Sequence, residues 1–207
     1  TGWNEWIAGF SSVMEDVDTA FRNVLGQSWT SLLNGDSDWD GADGKYAAWL
    51  GVQLALTAWW SRAGVVPQVV LGQGSGELAA ACAAEILTRE DALRLLAVGG
   101  TGHGPAALDG FQPRPAALPF LSAADGQTHA GPDLDTAHWQ SCFGPSSGWA
   151  KAIGGLQQRQ VDVCLELGPE ALTGKLAEGL ARNGTPVLTL ASLCPAEADA
   201  ADEIIYE

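Results

Sequence analysis

The chain has 207 residues, 46% hydrophobic and 17% charged, enough apolar side chain for one globular core and too little charge for wholesale disorder. Ten Lys and Arg against 25 Asp and Glu give a net charge of -15, a field that repels phosphate and argues against nucleic acid, anionic membrane and polyanionic cofactors as partners. No apolar run reaches the roughly 18 residues of a membrane helix, the opening TGWNEW does not read as a signal peptide, and Cys82, Cys142, Cys164 and Cys194 share no C-x-x-C spacing; the expectation is a cytoplasmic domain with reduced thiols.

Trp6, Phe10, Val13, Met14, Val17, Phe21 and Val24 recur at three- and four-residue steps and predict an amphipathic helix over 5–25. A polar loop rich in Gly and Asp follows over 34–44. Residues 46–60 are apolar nearly all round, as in a buried helix, and Gly64 ends them. Val65 to Leu71 is short, β-branched and apolar, and predicts a buried parallel strand. It runs into Gly72-Gln73-Gly74-Ser75-Gly76 and then an alanine-dominated helix over 77–85. Thr88 and Asp91 form a capping box opening a further helix to about Ala97.

Gly99 to Ala117 carries glycines and prolines without periodicity and reads as a loop. After it, 118–121 predicts a short strand, 135–142 and 148–158 predict helices, and 161–167 alternates as a strand. Pro169 starts a helix that Asn183-Gly184 stops, and 186–190 is the last strand. Residues 195–207 form an acidic tail. Strands alternating with helices predict an α/β core of three layers, α/β/α, with a mainly parallel sheet.

The informative segment is Val69 to Cys82. A strand entering Gly-x-X-x-Gly and then a helix is the geometry of a nucleophile elbow, with X strained at the helix N-terminus. The frame Gly72-x-Gly74-x-Gly76 puts Gly74 at X, so the apex is expected at positive φ. Ser75 falls one residue late, and its neighbours two away are Gln73 and Glu77, not glycines.

These residues resemble the acyltransferase domains of modular polyketide synthases and their malonyl-transferase relatives in fatty-acid synthesis. The match rests on Gly72, Gly76, Glu77, the run Ala79-Ala80-Ala81-Cys82, Leu87 and Glu90-Asp91-Ala92-Leu93-Arg94, with Asp135 to Trp139 and Glu166-Leu167-Gly168-Pro169 plus Leu172 further on. The resemblance covers most of 10–190 and implies an acyltransferase large subdomain over 1–194, with a loop over 98–117 where the family carries a ferredoxin-like small subdomain. By the same resemblance, the nucleophilic serine is Gly74, the preceding histidine is Gln73, and the arginine that clamps an extender carboxylate is Gly99. The general base belongs to the absent small subdomain, the opening G-Q-G-S-Q strand does not precede Trp3, and Glu170 stands at the histidine of the G-P-H segment, which is not a catalytic group. Glycine cannot form an acyl-enzyme, so the implied function is a catalytically inactive domain acting as a structural or docking element, with a neighbouring ketosynthase or another synthase domain as partner. A bare sheet edge is expected to need a flanking segment or partner over it. An acyl carrier protein is a weaker partner, because carrier proteins are acidic and no basic patch is visible.

Two other classes stay open on the residues alone. An acyl hydrolase or transferase would use Ser75 with His103, His129 or His138; an acyl-chain or carrier-protein binding module would use the emptied pocket. Against the first, Ser75 reads as a helix cap, His103 as a solvated loop residue and His138 as a helix-surface residue. Asp36-x-Asp38-x-Asp40-Gly41 imitates half of a calcium loop, but its twelfth position is Ala47, and the His and Cys show no zinc spacing; no metal and no cofactor are expected. The Gly-rich turn lacks the lysine of a phosphate loop. Of the nine tryptophans, Trp49, Trp59 and Trp60 read as core or helix contacts, and Trp3, Trp6, Trp29, Trp39 and Trp149 as including surface positions.

Overall fold

The computed structural model describes residues 2–36, 42–101, 111–144, 146–168, 173–181 and 187–193. Helices α1 (Gly2–Leu25) and α3 (Ala42–Arg62) pack on each other and on α5 (Arg89–Thr101), with the short α2 (Trp29–Leu33) wedged between the first two. The amphipathic repeat of α1 buries Val13, Val17 and Phe21 completely or nearly so, against Leu50 and Leu54 of α3 and Leu93 and Leu96 of α5. Trp29 belongs to this core rather than to the surface: it is 1% exposed, its Nε1–H donates to the Ala48 carbonyl at 3.2 Å, and its ring meets Phe21 at 6.1 Å. The glycine at 51 makes the approach possible, because a Cβ there would run into the Trp29 indole.

The α1–α2 corner is held by Asp18. Its carboxylate accepts from Arg22 Nε at 2.7 Å, Ser28 Oγ at 2.7 Å and the Thr30 N–H at 3.1 Å, while Ser28 caps α2 by accepting from the Ser31 N–H. Burial alone would raise the Asp18 pKa, but these donors outweigh it and hold the group at about 2, below its ordinary 3.8.

Strand β1 (Val70–Gly72) leads into α4 (Gly76–Ala83) and then α5. The chain returns through β2 (Phe120–Ser122), parallel to β1 with Val70 opposite Phe120, and β3 (Thr128–His129), antiparallel to β2. Helices α6 (Thr136–Ser141) and α7 (Trp149–Gln158) follow, then β4 (Val163–Glu166), α8 (Thr173–Ala181) and β5 (Leu188–Ala191), with β4 and β5 parallel. The described strands therefore form a three-stranded sheet, β1-β2-β3, and a two-stranded one, β4-β5. A second apolar cluster, Leu121, Ala152, Ile153, Leu156, Val161 and Leu180, lies beneath both, with Leu71 of β1 and Cys164 of β4 against it. The α/β reading holds; β3, only two residues long, has no counterpart in the expected order.

Three boundaries differ from expectation for local reasons. Val65 to Gln68 is not strand: Gly64, at φ +88, closes α3 with its N–H on Ser61 O and the Val65 N–H on Trp60 O, and Pro67 has no N–H to pair, so pairing starts at Val70 and Val66 is 82% exposed. The alanine helix stops at Ala83, where Glu85 turns at φ +61 and the Ile86 N–H reaches back to Ala81 O. The Thr88–Asp91 box is present in both directions, but α5 runs on to Thr101, so 98–101, Gly99 included, are helical rather than part of the expected loop over 98–117; of that stretch 102–110 lie outside the described residues. Pro169, Glu170, Leu172, Asn183-Gly184, Cys194 and the acidic tail over 195–207 lie outside the described residues.

Because the folded pKa of Asp18 is depressed, its contribution to stability is complete above its ordinary value near 3.8 and is lost as pH falls through about 2. Urea midpoints of the unaltered chain and of Asp18→Asn, measured from pH 6 to pH 2, should differ by a constant amount down to about pH 4 and converge below it.

Candidate functional site

The end of β1 and the start of α4 form the expected elbow. Gly74 sits at the apex at φ +58, in the left-handed region that costs an L-residue about 1–3 kcal/mol and glycine almost nothing. The turn closes with the Gly76 N–H on Gln73 O, the Glu77 N–H on Gly74 O and the Leu78 N–H on Ser75 O, at 3.0, 3.0 and 3.1 Å. Gly72 is required by the tightness of this turn, since a Cβ there would strike the Glu77 backbone. At Gly74 there is space: the nearest atom to an added Cβ is the Cys142 carbonyl oxygen at 3.8 Å. Geometry for a nucleophile persists, and the side chain is absent.

Ser75 follows the apex at φ -58, ψ -19, already helical, and is 9% exposed. It occupies the N-cap position of α4, but its hydroxyl makes no capping hydrogen bond, contrary to the cap expectation. Gly99 lies in α5 with the Phe143 ring where its Cβ would be, so no clamp side chain fits there without moving that ring. Beside the elbow, the Gln53 amide nitrogen lies 3.3 and 3.5 Å from where a Cβ would stand on Gly76 and on Gly168, so the C-terminal ends of β1 and β4 come to one place; its Oε1 is buried without a hydrogen-bond partner.

The polar centre of the site is Glu77, which is fully buried. Its Oε1 accepts the Ala124 N–H at 2.8 Å; its Oε2 accepts the Cys142 S–H at 3.2 Å and lies 3.3 Å from His138 Nε2. One carboxylate thus ties α4 to the turn after β2 and to α6. His138 is consequently 10% exposed at its side chain and no surface residue. Its ring meets His129 edge-on at 4.9 Å, and His129 in turn has Nδ1 2.7 Å from Asp133 Oδ2 and Nε2 3.1 Å from Asp125 Oδ2. Neither histidine is brought to Ser75 as a base. His103 lies outside the described residues, as do Asp38, Asp40 and Gly41 of the acidic loop.

The three described thiols are all held toward their protonated form. Burial pushes Cys82 up to about 12 and raises Cys164; Cys142 is raised by burial and by the adjacent Glu77 carboxylate. Two groups of side chains are close enough to share a cation: Glu77, His138 and Cys142 on the buried side, and Asp125, His129 and His138 toward solvent. Sequence reasoning missed both, because each group depends on His138 of α6 meeting residues of other elements, which no local spacing signals. A shallow groove of about 430 Å³, lined by Met14, Glu15, Asp18, Thr19 and Thr30, lies on α1 and α2, away from the elbow.

Two substitutions separate the roles of apex and anchor. Glu77→Leu should lower unfolding stability by about 3 kcal/mol, because it takes a buried acceptor from the His138 ring and leaves the Ala124 N–H with only Ser122 Oγ and the Cys142 S–H with only the His138 carbonyl. Gly74→Ala should cost about 1–2 kcal/mol, the left-handed backbone penalty alone. Urea unfolding of both variants checks the order, which reverses if the carboxylate is dispensable.

The acyl transferase domain family matches residues 7–110. The erythronolide synthase EryA3 of Saccharopolyspora erythraea is 38% identical over 89 residues, 43% of this chain and 3% of the synthase. A phenolphthiocerol/phthiocerol polyketide synthase of Mycobacterium tuberculosis (strain CDC 1551 / Oshkosh) is 34% identical over 87 residues, 42% of this chain and 5% of that polypeptide, so the chain spans only a few per cent of these relatives. Among solved structures, the acyltransferase domain from module 8 of the salinomycin polyketide synthase superposes with a TM-score of 0.75 at 21% identity, covering 89% of this chain and 64% of that one. A malonyl-transacylase solved in complex with its type II polyketide synthase acyl-carrier protein gives 0.72 at 14% identity, covering 87% of each chain. These structures share the fold. No described helix is long and apolar enough to cross a membrane. With its elbow, its alanine helix and its capping-box helix all inside the matched span, the chain belongs to the acyl transferase domain family.

Proposed function

We propose that this chain is a catalytically silent acyltransferase domain of a polyketide or fatty-acid synthase, serving as a structural and docking element for neighbouring domains in the cytoplasm. The observation that carries the reading is the apex: Gly74 keeps the elbow backbone at φ +58 and has no atom with which to attack a thioester. The surroundings agree. The clamp position, Gly99, is packed under Phe143, and residues 102–119 between α5 and β2 are too few for a ferredoxin-like subdomain to carry a general base.

Support for docking comes from β4 and β5. Their register pairs Val163 with Leu188 and Leu165 with Leu190, which puts four apolar side chains on one face of the pair. Val163 is 51% and Leu188 56% exposed, whereas Cys164, on the opposite face, packs against the inner cluster. An apolar sheet face of this kind calls for cover. The occupant we assign is another part of the synthase polypeptide, with ketosynthase as the first choice, because the curated relatives are long chains of which the matched 87–89 residues are only 3–5%. A carrier protein is the second, since a structural neighbour of the same fold was solved with one.

The hydrolase reading is disfavoured by Ser75, whose helical backbone holds it off the apex while His129 and His138 are engaged elsewhere. An acyl-chain binding module finds little support in the groove on α1 and α2, which Glu15 and Asp18 line.

Release of CoA from malonyl-, methylmalonyl- and acetyl-CoA, and transfer of the acyl group to a holo carrier protein, should both be indistinguishable from the protein-free control. Gly74→Ser should also fail to turn over, since a positioned base contributes about 10²–10⁴-fold and none is brought to the apex among the described residues. Multiple turnovers by the unaltered chain would overturn the proposal.

A further inference from the structure

We propose that Asp125, His129 and His138 form a binding site for a divalent transition-metal ion of the zinc class, on the solvent side of the Glu77 carboxylate. Each residue brings one ligand atom within 4.8 Å of the other two. They come from three ordered pieces of the fold: Asp125 from the turn joining β2 to β3, His129 from β3, and His138 from α6, which Asp135 caps. Asp125 is fixed by its Oδ1 accepting the Gln127 N–H at 2.8 Å, which leaves Oδ2 facing His129.

His129 is the decisive residue. Both of its ring nitrogens face carboxylates, Nδ1 at 2.7 Å from Asp133 Oδ2 and Nε2 at 3.1 Å from Asp125 Oδ2. A neutral imidazole carries one N–H. With that hydrogen given to the closer Asp133, the Nε2 lone pair and the Asp125 carboxylate confront each other as two acceptors, an arrangement that requires a cation between them. A proton is one candidate. A metal is better suited, because a second imidazole, His138, stands beside the same gap. Tetrahedral zinc with bonds of about 2.0–2.1 Å needs ligand atoms about 3.3 Å apart, close to the separation already present between Asp125 and His129.

The outer partners fit as well. Ligating histidines commonly donate their other ring N–H to a carboxylate, which orients the ring. Asp133 does this for His129 and is itself held by the Ala130 N–H at 3.0 Å. Glu77, anchored by the Ala124 N–H, stands 3.3 Å from His138 Nε2. Two imidazoles and a carboxylate suit zinc-class ions over magnesium or calcium, which take all-oxygen shells. The buried group Glu77, His138 and Cys142 is a poorer site, since its thiol already donates to Glu77 and its carboxylate has no exposure. Occupancy would pin the β2–β3 turn to α6, a structural role compatible with either a silent or an active elbow.

Zinc titrated into the full chain against a chromophoric chelator should show one saturable site per chain. Asp125→Asn and His129→Ala should each weaken it at least 10-fold. Both variants leave the Glu77 anchor in place, and far-UV circular dichroism checks their fold; should His129→Ala unfold, the near-isosteric Asp125→Asn decides alone. Cobalt at the same site should give tetrahedral d–d bands without a thiolate charge-transfer band. Absence of saturable binding, binding unchanged in Asp125→Asn, or a thiolate band abolished by Cys142→Ser would each overturn the proposal.

Discussion

The fold around the elbow depends on one buried carboxylate. Glu77 begins α4 immediately after the strained turn, and its two oxygens gather the Ala124 N–H, the Cys142 thiol and the His138 ring. Its position in the first helical turn is favourable to a negative charge, and every partner it recruits lies more than forty residues further along the chain. Without it, the α6 region would lose this polar tie to the elbow, and the turn after β2 would keep only the Ala123 N–H on the Gly72 carbonyl at 3.1 Å. The glycine at 72 is a corollary: the strand must come close enough for the Glu77 backbone to lie where a Cβ would be.

That anchor explains how the elbow keeps its shape around a glycine apex. In an active enzyme the strained apex exists to expose a nucleophile, and the strain is held by the surrounding packing. Here the packing remains and glycine removes most of the strain, so nothing in the energetics forces the turn to relax into ordinary helix. Residue 74 has no hydroxyl, residue 99 has no side chain under the Phe143 ring, and neither described histidine hydrogen-bonds at the apex. Architecture and catalysis are separable in this fold because the residues that hold the turn, Gly72, Gly76 and Glu77, are not the residue that would react.

What could be read from the sequence was local. The Thr88–Asp91 box, the amphipathic stripe of α1 and the elbow with positive φ at Gly74 each depend on residues a few positions apart. Val65 and Val66 misled because β-branching is visible in sequence, whereas the helix-closing bonds at Gly64 and the missing N–H of Pro67 decide where pairing begins. Gly99 misled in the opposite sense: glycine suggested a loop, while in α5 it is the space that lets Phe143 pack. Glu77 was legible only as a motif letter. Its work is done with partners at 124, 138 and 142, and nothing local announces that a chain will bring those positions together; His129 and His138 are only nine residues apart, but they lie on a strand and a helix whose packing on each other no periodicity announces.

The central claim is that this elbow cannot carry an acyl group, and peptide-mapped mass spectrometry after incubation with malonyl- and methylmalonyl-CoA tests it most directly. The account predicts an unmodified peptide spanning Val69 to Glu85. An acyl increment on Ser75 would show that the residue beside the apex has taken over as nucleophile and would contradict it.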